Sequence, residues 1–232
     1  MAQNFSLTHL VREPLVRAAG APPLLLLLHG VGSNEADLFG LAEYLDERCV
    51  VVSARAPFVL GPGAYGWFNI EFTPRGLAAD VAQARQSLAM LPPFIGELTA
   101  AYAADPRRVY LMGFSQGAMM SLALMLTRPE LVAGVAAMSG RLPEALAALE
   151  PDAAALAGLP VIVTHGTYDP MLPVENGRAV RRRLEALPVE LTYREYPMGH
   201  EVSLESLRDV TAWLTAALDR PPRETSPTAA DL

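Results

Sequence analysis

The chain has 232 residues, 51% of them hydrophobic and 19% charged, a balance that suits a folded domain rather than a disordered segment. Twenty-five acidic residues against eighteen basic ones leave a formal charge of −7, which argues against nucleic acid or an anionic membrane surface as a partner. Every basic residue is arginine, so P-loop phosphate binding, protein-kinase chemistry, pyridoxal Schiff bases and Ser–Lys dyads are excluded, and the lone Cys49 leaves neither a disulfide nor a thiolate metal cluster.

From the N-terminus, no basic segment precedes an apolar stretch, and the longest strongly apolar run, Leu24–Leu28, is far short of the ~20 residues that span a bilayer. With one cysteine, the expectation is a cytoplasmic protein without stable membrane insertion. Residues 7–16 are expected to form an antiparallel strand or hairpin at one sheet edge. Short apolar runs at 24–28, 50–53, 109–112, 132–138 and 161–164, bounded by Pro, Gly or charges, suit strands buried on both faces of a parallel sheet. The run at 189–196 alternates more, as a strand near the other edge would. Cys49, just ahead of a strand, reads as a small buried hydrophobe.

Between these runs the apolar spacing turns helical. Leu77, Val81, Ala84, Leu88 and Leu91 share one helical face, which Pro92-Pro93 is expected to break or kink before a second piece runs to about Ala104. Residues 117–128 form a helix stopped by Pro129. Val180, Leu184 and Leu187 stripe the next helix, and Leu207, Val210, Leu214 and Leu218 the last. The Arg181-Arg182-Arg183 run reads as a solvated helix face. This strand–helix alternation means one doubly wound, mostly parallel sheet with helices on both faces, an α/β domain over residues 1–219. Residues 220–232, Pro-rich and polar, read as a disordered tail.

The strongest local signal is Gly113-Phe114-Ser115-Gln116-Gly117, with an apolar strand before it and an Ala/Met/Leu-rich helix after it. Gly-x-Ser-x-Gly in that context is a nucleophile elbow: small flanking residues let a sharp turn close and lift the serine hydroxyl at the carboxyl end of a strand. Serine needs a base and an orienting acid, which in this architecture follow in the order acid, then histidine. Two histidines lie downstream. His200 sits in a loop after a strand, in Pro197-Met198-Gly199-His200, and is the candidate base. Asp169, in the loop Gly166-Thr167-Tyr168-Asp169-Pro170, is the candidate acid, ahead of Glu175 at a helix start and Glu195 within a strand. His165 reads as a packed residue that orders the loop carrying Asp169.

Upstream, the leucine strand runs into His29-Gly30-Val31-Gly32, a loop whose glycines leave backbone N–H groups unobstructed. The backbone N–H groups of Val31 and Gln116 are therefore the expected oxyanion donors. The Gly-rich loop at 61–69 carries Tyr65, Trp67 and Phe68. Trp67 and Phe68 either wall an acyl pocket or pack the loop onto the domain, and Met171 and Leu172, beside Asp169, are further candidate substrate contacts.

Together, His29-Gly30-Val31-Gly32, Gly113-Phe114-Ser115-Gln116-Gly117, His165-Gly166-Thr167-Tyr168-Asp169 and Gly199-His200 resemble the phospholipase/carboxylesterase family of α/β-hydrolases over residues 20–218. The resemblance implies an α/β-hydrolase fold with no lid domain, and Ser115 as nucleophile, Asp169 as acid and His200 as base. It also implies oxyanion amides on Val31 and Gln116, and an acyl site bordered by Trp67 and Phe68. No metal or organic cofactor is implied, and a homodimer is compatible with it. Acyl-protein thioesterases usually carry Asp where this chain has Ser33, and a small hydroxyl residue where it has Glu201; both departures resemble the bacterial carboxylesterase branch. Dienelactone hydrolases are set apart by a cysteine at the elbow. The expected activity is serine carboxylesterase on short- to medium-chain esters. The alternatives are the same chemistry on a thioester or lysophospholipid, and a non-catalytic small-molecule receptor of this fold.

Overall fold

Leucine at all five positions from 24 to 28 leaves a strand no polar face, so it is stable only with both faces covered. The computed structural model, which describes residues 5–16, 20–73, 76–142 and 150–222, shows how the chain covers them. In chain order the elements are β1 (His9–Arg12), β2 (Leu24–Leu28), α1 (Ala36–Phe39), β3 (Val50–Ala54), β4 (Phe58–Gly61), β5 (Ala64–Gly66), β6 (Ile70–Thr73) and β7 (Gly76–Ala79). They continue with α2 (Val81–Ala101), β8 (Val109–Phe114), α3 (Gln116–Thr127), β9 (Gly134–Met138), α4 (Ala153–Leu156), β10 (Pro160–Gly166), α5 (Glu175–Glu185), β11 (Glu190–Tyr196) and α6 (Leu204–Leu218).

One sheet runs in the order β1-β3-β2-β8-β9-β10-β11, with β1 antiparallel to β3 and every other neighbouring pair parallel. Side-chain alternation along each strand sorts the core into two layers. Leu24, Leu26 and Leu28 join Val50, Leu111, Val135 and Val161 under α2, α3 and α5. Leu25 and Leu27 join Val51, Met112, Ala136 and Ile162 under α1 and α6. The doubly wound sheet, the antiparallel β1 at one edge and the alternating β11 at the other match expectation. Cys49 is fully buried, and burial raises its thiol pKa to about 12, so it is an inert core residue. Among the described residues no cap domain is inserted between strands, and no helix is long and apolar enough to cross a membrane. The expected disordered tail lies, from residue 223 onward, outside the described residues.

Three expectations are corrected between β3 and β8. Leu77 belongs to a strand, not a helix: β7 pairs with β6, and α2 starts only at Val81, where the Asp80 carboxylate caps the helix by accepting from Gln83 N–H at 3.0 Å. The expected loop at 61–69 contains the turn and second strand of the β4–β5 hairpin. Nor do Pro92 and Pro93 break α2, which is continuous through Ala101. They deprive the Leu88 and Ala89 carbonyls of their i+4 donors, but Leu91, Phe94, Ile95 and Leu98 bury one unbroken face across them. Packing of that face outweighs the roughly 3 kcal/mol penalty of an interior proline.

Helix α3 ends at a clean stop. Arg128 precedes Pro129 and leaves the helical region with φ −142°, because the proline ring disfavours α geometry in the residue before it. The start of α3 is tighter still: a Cβ on Gly117 would lie 1.8 Å from the Leu28 carbonyl oxygen at the end of β2. By contrast, a Cβ on Gly96, within α2, would meet nothing within 4 Å. Urea unfolding is therefore expected to show Gly96→Ala more stable by about 0.5–1 kcal/mol. The same measurement is expected to show Gly117→Ala destabilised by about 3 kcal/mol or more, through backbone overlap that no rotamer relieves. Equal stability of the two variants would contradict this packing.

Candidate active site

The elbow is built from steric necessity. β8 delivers Ser115 at φ 54°, ψ −113°, a left-handed conformation that a non-glycine residue holds only at a cost of about 1–3 kcal/mol. Its backbone N–H is pinned to the Met138 carbonyl of β9 at 2.9 Å. The turn closes because positions 113 and 117 lack side chains: a Cβ on Gly113 would lie 2.4 Å from the Gly117 carbonyl oxygen.

Two later loops converge on Ser115. The His200 Nε2 lies 2.9 Å from Ser115 Oγ, and its Nδ1 lies 2.6 Å from Asp169 Oδ2. An ionised carboxylate only accepts, so Nδ1 donates to Asp169 and the Nε2 lone pair is left facing the serine hydroxyl. The Asp169 carboxylate is buried, and its Oδ1 accepts from the backbone N–H groups of Met171 at 2.9 Å and Leu172 at 2.8 Å. His165 completes that loop: fully buried, it donates from Nε2 to the Leu172 carbonyl at 2.8 Å, and the same nitrogen lies 3.6 Å from Asp169 Oδ2. The Phe114 ring packs against the His200 imidazole at a centroid distance of 4.9 Å.

What brings the acid and histidine loops into register is a glycine contact that the sequence reading did not single out. A Cβ on Gly166 would lie 2.3 Å from the Gly199 carbonyl oxygen. With that approach, Thr167 N–H reaches the Tyr196 carbonyl at 2.8 Å and Tyr168 N–H the Met198 carbonyl at 3.1 Å. The available signal was the pair Gly166 and Gly199, each three or fewer residues from a candidate triad member.

The His29–Gly32 loop flanks the serine on the other side: a Cβ on Gly30 would sit 3.3 Å from Ser115 Cβ. Gln116 opens α3, where first-turn N–H groups have no intrahelical acceptor. His29 itself faces inward. Its Nε2 accepts from Ala56 N–H at 3.0 Å, so Nδ1 holds the proton and donates to the Gly30 carbonyl at 2.7 Å. A protonated ring would lose the first of these bonds, and burial holds the His29 pKa below its ordinary value. The loop is also laced to the β4–β5 hairpin. Gly32 N–H donates to the Tyr65 carbonyl and Tyr65 N–H to the Ser33 carbonyl, both at 2.8 Å, and Asn34 Nδ2 donates to the Gly63 carbonyl at 2.9 Å. The Arg55 guanidinium, 4.6 Å from the Tyr65 ring centroid, pairs with Glu35 and holds its carboxyl below the usual range.

The candidate substrate contacts divide. Trp67 has no accessible surface and Phe68 almost none; both rings lie in the core, so neither offers a face to an open pocket. Of the two alternatives named for them, acyl-pocket wall and loop packing, this burial fits the second. The Met171 side chain is exposed, whereas Leu172 is half-buried against the core. Arg181 and Arg182 lie exposed on α5 as expected. Among the described residues no group of three or more His, Cys, Asp or Glu side chains is placed to hold a metal ion.

A mostly parallel sheet with a strained serine elbow and a Ser–His–Asp chain across its carboxyl edge defines an α/β-hydrolase. The phospholipase/carboxylesterase family profile matches residues 16–218, and the chain belongs to that family of carboxylic ester hydrolases. It is 30% identical over 223 residues to acyl-protein thioesterase 1 of Kluyveromyces lactis, covering 87% of this chain and 95% of that one. Among solved structures it resembles esterase PE8 at a TM-score of 0.77 and 29% identity, covering 91% of this chain and 99% of that one. The fold also matches the Bacillus cereus carboxylesterase at a TM-score of 0.78 and 24% identity, over 92% and 96% of the two chains.

The His29 bonds carry a pH signature. The folded state favours the neutral ring, so below the ordinary imidazole pKa of about 6.5 the unfolded chain binds more protons than the folded one. Stability from this residue is fully present above that pH and is lost as pH falls toward the lowered folded value. Urea titrations between pH 8 and pH 5 are expected to show this loss in the wild type and a smaller one in His29→Gln. Equal pH dependence of both would contradict the neutral assignment.

Proposed function

We propose that this chain is a serine carboxylesterase acting on short- to medium-chain esters through Ser115, His200 and Asp169. The observation that carries the reading is the continuous hydrogen-bonded line from Ser115 Oγ through the His200 ring to the buried Asp169 carboxylate, 2.9 and 2.6 Å in its two steps. Ser115 Oγ attacks the ester carbonyl carbon as its proton passes to His200 Nε2, and Asp169 stabilises the imidazolium and fixes its tautomer. The tetrahedral oxyanion accepts from the backbone N–H groups of Val31 and Gln116, the latter aided by the positive end of α3. Collapse breaks the bond to the leaving alkoxide, which takes the proton from His200 and departs as the alcohol. A water molecule then attacks the acyl-enzyme with His200 as base, releasing the carboxylic acid and restoring the Ser115 hydroxyl. Every atom transferred comes from ester, water or these side chains, so the cycle closes without a cofactor.

Exposed apolar side chains flank the proposed machinery: Val31 on the oxyanion loop, and Tyr168 and Met171 on either side of Asp169. They favour an uncharged small-molecule ester with an apolar acyl group and make Met171 the leading candidate contact, with Leu172 behind it. The thioesterase named among the relatives keeps thioester hydrolysis as the second reading, since the same nucleophile and base serve both leaving groups.

Kinetics with p-nitrophenyl butanoate test the proposal. Ser115→Ala is expected to lower kcat by several orders of magnitude. Asp169→Asn, which favours the wrong imidazole tautomer, is expected to lower it by about 10⁴-fold. Retained activity in Ser115→Ala would overturn the assignment. Across p-nitrophenyl esters from acetate to hexadecanoate and the butanoyl thioester, kcat/KM is expected to be highest for the shorter oxygen esters. A preference for hexadecanoate or for the thioester would favour the second reading.

A further inference from the structure

The two amides proposed for the oxyanion come from segments 85 positions apart in sequence, Val31 at the exit of β2 and Gln116 at the start of α3, and something must hold them at one separation. Trp67 and the Gln116 side chain join the two segments through a closed set of contacts. The Gln116 side chain, buried to 1% exposure, accepts from Trp67 N–H at 2.6 Å and donates from Nε2 to the Phe68 carbonyl at 2.7 Å. The Trp67 indole donates from Nε1 to the His29 carbonyl at 3.0 Å. That carbonyl lies two residues before Val31, and a Cβ on Gly117 would come within 2.8 Å of it, so α3 closes the circuit by direct packing. The Trp67 carbonyl is fixed in turn by Ser87 Oγ at 2.5 Å, which anchors the circuit to α2.

We propose that Trp67 and the Gln116 side chain are positioning residues that set the spacing of the Val31 and Gln116 amides, so that a tryptophan expected to face the acyl chain acts instead on the tetrahedral oxyanion. Each bond in the circuit is buried, and together they tie residues 67 and 68 both to the start of α3 and to the exit of β2. Backbone donors that must be in place before charge develops depend on such support. A displacement of about 1 Å at an oxyanion donor costs on the order of 10²-fold in rate, with little effect on binding of the ground-state ester.

This inference rests on the triad and oxyanion assignments, so Ser115→Ala is carried alongside as the control for that reading. The experiment is steady-state kinetics with p-nitrophenyl butanoate, inhibition by a trifluoromethyl ketone that forms a tetrahedral adduct, and thermal unfolding. It is applied to Trp67→Phe, which removes the indole donor but keeps an aromatic ring, and to Gln116→Met, which removes both side-chain bonds but keeps the backbone N–H. Both are expected to lose about 10- to 100-fold in kcat with KM changed by less than about 3-fold. Inhibitor affinity is expected to fall in parallel with kcat/KM, and the pH midpoint of kcat/KM to stay unchanged because neither variant touches His200 or Asp169. An unchanged kcat in either folded variant, even with a lowered Tm, would assign these residues to folding alone and overturn the proposal. A rise in KM with kcat intact, or a shift in chain-length preference, would return Trp67 to the acyl pocket. If Ser115→Ala stays active, the triad reading fails; if it is inactive while Trp67→Phe is fully active, only the positioning proposal fails.

Discussion

The first turn of α3 rests on the last peptide of β2 so closely that position 117 has no room for a side chain, its hypothetical Cβ lying 1.8 Å from the Leu28 carbonyl oxygen. Much of the site follows from that approach. It fixes where α3 starts relative to the central sheet, and so where the strained Ser115 turn ends. It also brings the β2 exit, with Gly30, to the side of the serine. The parallel register of β2 and β8 makes the approach reproducible, since Leu28 pairs directly with Gly113, the other glycine of the elbow. The cost of the left-handed Ser115 backbone is offset by the buried sheet on either side, including the Ser115 N–H bond to Met138.

The remaining groups reach the serine because parallel strands present all their carboxyl ends at one edge. β10 ends at Gly166 and β11 at Tyr196, and Gly166 again permits a backbone approach that a side chain would prevent. The acid is then fixed from several directions, by two backbone amides and by the His200 ring, while His165 ties the same loop back at the Leu172 carbonyl. Convergent hydrogen bonds of this kind satisfy the acceptors of a buried carboxylate and fix its orientation toward the His200 ring.

The hydrogen-bonded arrangement of Ser115, His200 and Asp169 was legible in sequence because its constraints are local: Gly113 and Gly117 are required by the same turn that carries Ser115, and chain order leaves few partners. Strands β2, β8, β9 and β10 were legible for a similar reason, since burial on both faces leaves uninterrupted apolar runs. The hairpins between β3 and β8 were not. Leu77 stands at a helical interval from Val81, yet it pairs in a strand, because the Asp80 cap and the β6–β7 pairing decide the boundary where periodicity alone does not. The α2 prolines mislead in the opposite direction, because the buried face that carries the helix past them is supplied by the rest of the fold. Trp67 was legible only as an aromatic on a glycine-rich loop. Its partners Gln116 and His29 lie 49 and 38 positions away, so the choice between pocket wall and buried strut is made by tertiary contacts that composition does not record.

The central claim, that Ser115 is a nucleophile facing two preorganised amides, is tested most directly by a crystal structure of the protein after reaction with a fluorophosphonate. The account predicts phosphorus bonded to Ser115 Oγ, with its phosphoryl oxygen about 3 Å from the backbone nitrogens of both Val31 and Gln116. Phosphorus on another residue, or a phosphoryl oxygen turned away from both amides, would contradict it.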